Sequence, residues 1–311
     1  MIHFPQQLSD LAALSGEFRA GATDLAERRR HHISTGDLID LRDLPGLDGL
    51  LLEGPRLNIG AKVTVQAVAD SPLVRSHHPA LAASAGVLAT PAIRAVATVG
   101  GNLTQRVRCW YYRSPEQQCL KKGGTTCLAR AGDHLYHACF DRGACVAPHA
   151  STLAMALLMG DVVVLTNRRS LSVAEFLGDG TDARRENRLE AGELITGLSI
   201  PVVQAGLRAG YHRAISRARA EWPLVEAAAQ LRVEGGVLRQ VQLVLGGVAT
   251  VPFRLPAVEA KLEGMALDLD QIRTALNGAS QGASPLPMTG YKLELLAPTL
   301  FHAVRVAVEA S

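Results

Sequence analysis

At 311 residues, with 48% hydrophobic and 20% charged residues, the chain can bury a full core and has length for two domains. A net charge of +3, a single basic run at Arg28-Arg29-Arg30-His31-His32 and only 4% aromatic residues argue against a nucleic-acid surface, which needs a broad cationic face and stacking rings. No 18-residue apolar run exists, and Met1-Ile2-His3-Phe4-Pro5-Gln6 has neither a basic nor an apolar leader segment, so neither membrane insertion nor an export signal is expected.

In chain order, residues 11–14 read as a short helix. Phe18-Arg19-Ala20 then enters the small-residue turn Gly21-Ala22-Thr23-Asp24-Leu25, a strand-turn-helix pattern whose helix N-terminus would present free N–H groups suited to a phosphate. Residues 58–66 alternate apolar Ile59, Ala61, Val63 and Val65 with Gly60, Lys62, Thr64 and Gln66, the period of a half-buried strand. Residues 81–89 read as a helix ending before Pro91. Ser151 is the expected N-cap of a helix through Leu158, closed by Gly160, with a short strand over 161–165. Residues 179–193 are polar and read as a loop. Residues 194–201 form the expected last strand of a first lobe, and Gln204-Ala205-Gly206 the connection to a second. There, 211–214, 225–233 and 239–248 read as sheet, 257–262 as a helix stopped by Gly264, and 292–310 as a terminal helix interrupted at Pro298. The second lobe is therefore expected to be α+β.

All five cysteines, Cys109, Cys119, Cys127, Cys139 and Cys145, fall within 37 consecutive residues, so they read as one site. An odd count without a leader argues against a disulfide framework. Four thiolates at Cys109, Cys119, Cys127 and Cys145 suit a tetrahedral metal or an iron-sulfur cluster, with Cys139 spare. The spacing alone leaves zinc and iron open, although the close C-x2-4-C pairs of structural zinc are absent and Gly123, Gly124, Gly132 and Gly143 suit a tight loop around a larger group. His77, His78, His134, His137 and His149 lack a metal-site pattern and read as surface or loop residues. No nucleophile-base or paired-carboxylate arrangement is legible.

The run Ala20-Gly21-Ala22-Thr23-Asp24-Leu25, followed by Leu38-Ile39-Asp40-Leu41, and the run Ile93-Arg94-Ala95-Val96-Ala97-Thr98-Val99-Gly100-Gly101-Asn102 resemble two motifs of the FAD-binding medium subunits of the molybdenum hydroxylases, the xanthine dehydrogenase and carbon monoxide dehydrogenase family. Ile59-Gly60-Ala61, Glu193-Leu194-Ile195 and Leu245-Gly246-Gly247-Val248-Ala249 match in order, so the resemblance spans nearly the whole chain. The segments Arg108-Cys109-Trp110-Tyr111-Tyr112-Arg113 and Cys119-Leu120-Lys121-Lys122-Gly123-Gly124, with Cys127 and Cys145, are similar to the [4Fe-4S] loop of the periplasmic aldehyde oxidoreductase branch and, more distantly, of 4-hydroxybenzoyl-CoA reductase.

The resemblance implies an α+β chain. Residues 1–203 would be an FAD-binding domain of the vanillyl-alcohol-oxidase, PCMH-like type, with 103–148 as an iron-sulfur loop insertion, and 204–311 a C-terminal domain of the carbon monoxide dehydrogenase flavoprotein type. It implies FAD contacts at Ala20, Gly21, Ala22, Thr23, Asp24, Leu25, Thr98, Gly100, Gly101, Asn102 and Thr152, and a [4Fe-4S] cluster on Cys109, Cys119, Cys127 and Cys145. Glycine turns let backbone N–H groups approach a pyrophosphate, and Thr23, Thr98 and Asn102 add side-chain donors. Asp24 is expected to cap the next helix. Arg239 stands either near the flavin pyrimidine edge or simply on a strand surface, and the two readings are equal. Two departures stand out: Ala22 replaces a family glycine, and Thr152 replaces an aspartate that in relatives bonds ribityl or ribose hydroxyls. The implied role is electron transfer between the [2Fe-2S] centres of a small subunit and an external acceptor, beside a large molybdenum-cofactor subunit that oxidises an aldehyde or N-heteroaromatic. The alternatives are a free-standing FAD oxidoreductase and a zinc-stabilised interaction subunit. The expected compartment is the cytoplasm, or the periplasm through export with a signal-bearing partner.

Overall fold

The computed structural model describes residues 1–203, 206–217 and 220–310; Gln204 and Ala205 of the expected connection lie outside the described residues. The first lobe carries two sheets. A small parallel one joins Ile2–His3, Leu38–Asp40 and Glu17–Arg19 with Leu38–Asp40 in the centre. An antiparallel one runs in the order Leu50–Glu53, Arg56–Gly60, Ile195–Pro201, Val163–Thr166 and Ser170–Ser172. The strand at Ile195–Pro201, the lobe's last in sequence, is thus central in space, which explains its near-continuous burial. Leu57, Ile59, Leu198 and Val164 meet Val68, Leu81, Leu153 and Phe176 of the covering helices in one core.

Those helices start where side chains supply the caps. Thr64, Ser71, Thr90 and Ser151 each accept a backbone N–H from the first turn, and Pro72 and Pro91 follow two of them at the first helical position, where no N–H is needed. The burial alternation continues to Val65 as expected, but the strand does not. It ends at Gly60, whose missing side chain lets the chain pass the Leu47 carbonyl; a Cβ there would lie 2.2 Å from that oxygen. Thr64 then begins a helix, Val65–Asp70, so a turn and a helix occupy the second half of the expected strand.

The second lobe is a four-stranded antiparallel sheet, Phe253–Arg254, Val237–Gly246, Val225–Glu234 and Arg208–Ala214, backed by the helices Pro256–Leu262, Leu269–Leu276 and Tyr291–Glu309. The terminal helix runs unbroken through Pro298, contrary to the expected interruption. That residue is exposed, while Leu296, Thr299, Leu300, Val304 and Ala307 on the buried face hold the helix to the sheet, and this packing outweighs the one missing N–H. Ala80, Met155 and Met159 of the first lobe pack on Ala228 and Val244 of the second.

Candidate functional site at the lobe interface

The two glycine-bearing turns meet. An added Cβ on Gly21 would lie 2.0 Å from the Val96 carbonyl oxygen, and one on Gly100 would lie 3.0 Å from the Ala61 side chain; both are glycines because neighbouring chain is in the way. Gly101 differs. It is exposed, and a Cβ there would approach only Thr98 Oγ1, so packing alone does not require a glycine. Thr98 caps the helix Val99–Leu103 by accepting the Gly101 N–H at 3.2 Å. Ala20, Thr98, Gly100 and Gly101 line one cavity with Lys62, Thr104 and Glu193. Ala22 adopts a left-handed φ of +55°, a conformation that a glycine would take without strain. Thr23 is half-buried in the turn, and Leu25 is buried in the helix Leu25–Arg30.

Asp24 corrects its expected role. It stands at the N-cap position, yet its carboxylate makes no cap bond. Instead it pairs with Arg28 at 2.9 Å, Arg113 at 2.6 Å and Arg108 at 3.1 Å. Burial would raise its pKa, but the guanidinium groups of Arg113, Arg108 and Arg28 overcome that and hold it below the usual value. Three cations outcompete a neutral N–H for a buried carboxylate. Because Arg108 and Arg113 flank Cys109, Asp24 also anchors the cysteine loop.

A second, larger cavity lies between the lobes, lined by Arg108, Cys109, Trp110, His149 and Ala150 on one side and by Trp222, Leu224, Glu226 and Gly247 on the other. The Arg108 guanidinium stacks 4.5 Å from the Trp222 ring. Buried hydrogen bonds tie the helix after the glycine turn to the second lobe: Ser151 Oγ donates to Asn102 Oδ1 at 2.7 Å, and the adjacent Thr152 Oγ1 donates to Glu226 Oε2 at 2.9 Å. Arg239 does not take part. It is exposed on Val237–Gly246, next to Gly264, and lies seven residues from the strand's cavity end at Gly246, roughly 23 Å along the strand. Of the two readings of Arg239, this placement favours the strand surface.

Cys109, Cys119, Cys127 and Cys145 line a third, small cavity, and all are free thiols. The mutual interaction of the neighbouring Cys127 and Cys145 thiols pulls Cys127 down to about 5 and Cys145 up; burial pushes Cys109 up to about 11. Among the described residues, no three His, Cys, Asp or Glu side chains stand close enough to hold a single metal ion. Four soft donors spread around a cavity suit a larger group. Cys139 is elsewhere, fully buried in the second lobe's core with Val248 and Phe140. His134, His137 and His149 lie in loops, as expected, and are buried there, as is His78 at the start of Pro79–Val87. His137 Nε2 lies 3.1 Å from Cys109 Sγ.

Glu226 and the arginines of the Asp24 cluster escaped the sequence reading. Glu226 had a local signal: a lone charge within the apolar run Leu224-Val225-Glu226-Ala227-Ala228-Ala229, which demands buried donors.

The chain is thus two-lobed, with glycine turns opening on one cavity and a second cavity at the lobe interface, an arrangement with room for an extended cofactor. The comparisons make this specific. Residues 2–203 match the model of the FAD binding domain in molybdopterin dehydrogenase, and residues 210–307 that of the CO dehydrogenase flavoprotein C-terminal domain. The chain is 34% identical over 267 residues to the aldehyde oxidoreductase FAD-binding subunit PaoB of Escherichia coli strain K12, covering 81% of this chain and 82% of that one. It is 24% identical to the nicotinate dehydrogenase FAD-subunit of Eubacterium barkeri, covering 83% and 75%. In fold it is similar to a carbon monoxide dehydrogenase chain from Hydrogenophaga pseudoflava (TM-score 0.76, 20% identity, 99% and 96% covered) and to a chain of quinoline 2-oxidoreductase from Pseudomonas putida 86 (TM-score 0.76, 19% identity, 99% and 96% covered). The chain belongs to the FAD-binding medium subunits of the molybdenum hydroxylase family. No helix among the described residues is long and apolar enough to cross a membrane.

Proposed function

We propose that the chain is the electron-transfer subunit of a three-subunit molybdenum hydroxylase of the aldehyde oxidoreductase kind, carrying FAD and a [4Fe-4S] cluster and acting between the [2Fe-2S] centres of a small subunit and an external acceptor. The large subunit would hold the molybdenum cofactor and oxidise an aldehyde or N-heteroaromatic. The observation that carries this reading is that Cys109 belongs to two cavities at once: the one lined by four cysteines and the one between the lobes. A cluster in the first and a flavin in the second would be neighbours across a single residue.

The residues fit both groups. The turn carrying Ala20, Gly21, Ala22 and Thr23 and the helix N-terminus at Thr98, Gly100 and Gly101 would hold the pyrophosphate, with Gly101 leaving room for it. Asn102 and Thr152 would face the chain that leads to the isoalloxazine in the larger cavity. Asp24 and Leu25 would hold the turn in place from behind. Cys109, Cys119, Cys127 and Cys145 would ligate iron. When bound, FAD exchanges electrons in ones or twos and the cluster in ones, so the pair couples a two-electron oxidation to one-electron carriers. The protein's own contribution is to orient the two groups and, through Trp110, Trp222 and Arg108, to shield the space between the lobes from water.

The compartment is the cytoplasm or, with a signal-bearing partner, the periplasm. The domain division remains 1–203 and 204–311, with 103–148 as the cluster insertion. The test is the absorption spectrum and metal content of the intact complex. One FAD and four irons assigned to this chain are expected, with superimposed flavin and iron-sulfur bands; a colourless chain containing zinc would sink the proposal.

A further inference from the structure

We propose that Glu226 binds the ribityl chain of the flavin, its carboxylate accepting hydrogen bonds from the ribityl hydroxyls; the idea rests on the reading of this chain as an FAD carrier. Glu226 is 2% exposed in the strand Val225–Glu234, where its neighbours Val225, Ala227 and Ala228 are fully buried. A carboxylate accepts and never donates when ionised, and burying one is costly unless donors surround it. Two donors are in place, and both are hydroxyls: Thr152 Oγ1 and Tyr211 Oη, each 2.9 Å from Oε2. Oε1 is directed toward Gly246 on the paired strand, where an added Cβ would come within 2.6 Å of it. The second lobe therefore gives up a side chain at 246 to make room for this carboxylate.

Location supplies the rest of the argument. Glu226 lines the larger cavity, and a buried polar chain ties it to the turn on the smaller one: Asn102 follows Gly100 and Gly101 and accepts from Ser151, and Ser151 adjoins Thr152, which donates to Glu226. A ligand held at the Thr98 turn and entering the larger cavity would place its middle between these two ends. In FAD the stretch between the pyrophosphate and the ring is a polyol, a row of hydroxyl donors that matches a carboxylate acceptor. Thr152 has no carboxyl group; Glu226 has one and presents it from the opposite lobe, and although burial raises its pKa, the Thr152 and Tyr211 hydroxyls and the Arg213 charge act the other way. Flavin binding would then tie the two lobes together through one residue.

The full chain, stripped of flavin, is titrated with FAD and with FAD analogues that lack each ribityl hydroxyl in turn, with Kd read from flavin fluorescence and the fold checked by thermal unfolding of the unliganded protein. Glu226→Ala is expected to weaken FAD about tenfold or more. Removing one of the hydroxyls should weaken binding to the unmodified chain and leave Glu226→Ala nearly indifferent, the signature of a direct pair. Thr152→Asp placed in a Glu226→Ser background should recover most of the affinity. If Glu226→Ala does not fold, Glu226→Gln, similar in shape but uncharged, takes its place in the same comparison and should show a smaller loss with the same dependence on the hydroxyl. An unmodified chain that binds FAD while every analogue loses equally in chain and variant overturns the role of Glu226 and leaves the FAD reading standing. An unmodified chain that takes up no FAD overturns both.

Discussion

Gly21 and Gly101 belong to the same kind of motif and are glycines for different reasons, so substitution should separate them. A methyl at 21 must displace the Val96 backbone, and Gly21→Ala is expected to cost about 1–3 kcal/mol even without flavin. A side chain at 101 meets only the cap hydroxyl of Thr98. Gly101→Leu should therefore keep the unfolding temperature of the flavin-free chain while losing FAD, measured as flavin released on acid precipitation. Full flavin content in Gly101→Leu would move the pyrophosphate away from this turn. Glu193, on the wall of the same cavity, has a role in stability. Burial raises its pKa, but Arg169, the Glu190 N–H and Thr166 lower it further, to about 2. A carboxyl whose folded value is depressed contributes stability that is complete above its unfolded value and disappears as pH falls toward the folded one. Denaturant midpoints should thus fall between about pH 4.5 and pH 2, and Glu193→Gln should be less stable at neutral pH with a flatter profile across that window. An unchanged slope in the variant would assign the acid sensitivity to other groups.

At the scale of elements, Pro298 offers a direct test of what holds the terminal helix. The residue is exposed within Tyr291–Glu309, whose other face is buried in the second core. Pro298→Ala restores a donor for the Glu294 carbonyl without altering the packed face and should stabilise the chain by up to about 3 kcal/mol; a lower unfolding temperature would show that the proline's restriction of the unfolded chain outweighs the missing donor. The same comparison explains what was legible beforehand. Ser151 announces its helix start because a cap acts within three residues, whereas the cap at Thr64 is hidden by an apolar alternation that runs on to Val65; the strands of the second lobe announce themselves by apolar runs longer than any turn. Pro298 misled because local propensity was overridden by Leu296, Leu300 and Val304 packing on a sheet formed far away in sequence. The glycine turns and the cysteine spacing were readable, each being a local pattern. The partners of Asp24 and the place of Glu226 were not legible because their surroundings are not local: Asp24 meets Arg113 across 89 residues, and Thr152 meets Glu226 across 74.

For the whole molecule, the cysteine loop acts as a stitch between lobes. One end is tied to the first lobe through Arg108 and Arg113 on Asp24. The middle enters the second lobe, where the Cys139 and Phe140 N–H groups donate to the Val248 carbonyl, the Cys139 carbonyl accepts from the Ser284 N–H, and the Phe140 ring packs 4.9 Å from Phe253. The chain then returns to the cysteine cavity at Cys145. Cys139 is therefore a core residue in the second lobe, and the other four belong to the loop's own cavity. A hydroxyl buried at 139 in place of the thiol lacks the partners that oxygen requires, so Cys139→Ser should destabilise the chain by about 1–3 kcal/mol while, on the proposed [4Fe-4S] reading, leaving four irons and an unchanged cluster spectrum. On the same reading, Cys109→Ser, Cys119→Ser, Cys127→Ser and Cys145→Ser should each lose or degrade the proposed cluster, because a hydroxyl is a poor ligand for iron. Thermal unfolding and iron content measured on the same preparations separate the two classes; iron that falls in Cys139→Ser and survives in Cys145→Ser would reverse the assignment and with it the account of how the loop joins the lobes.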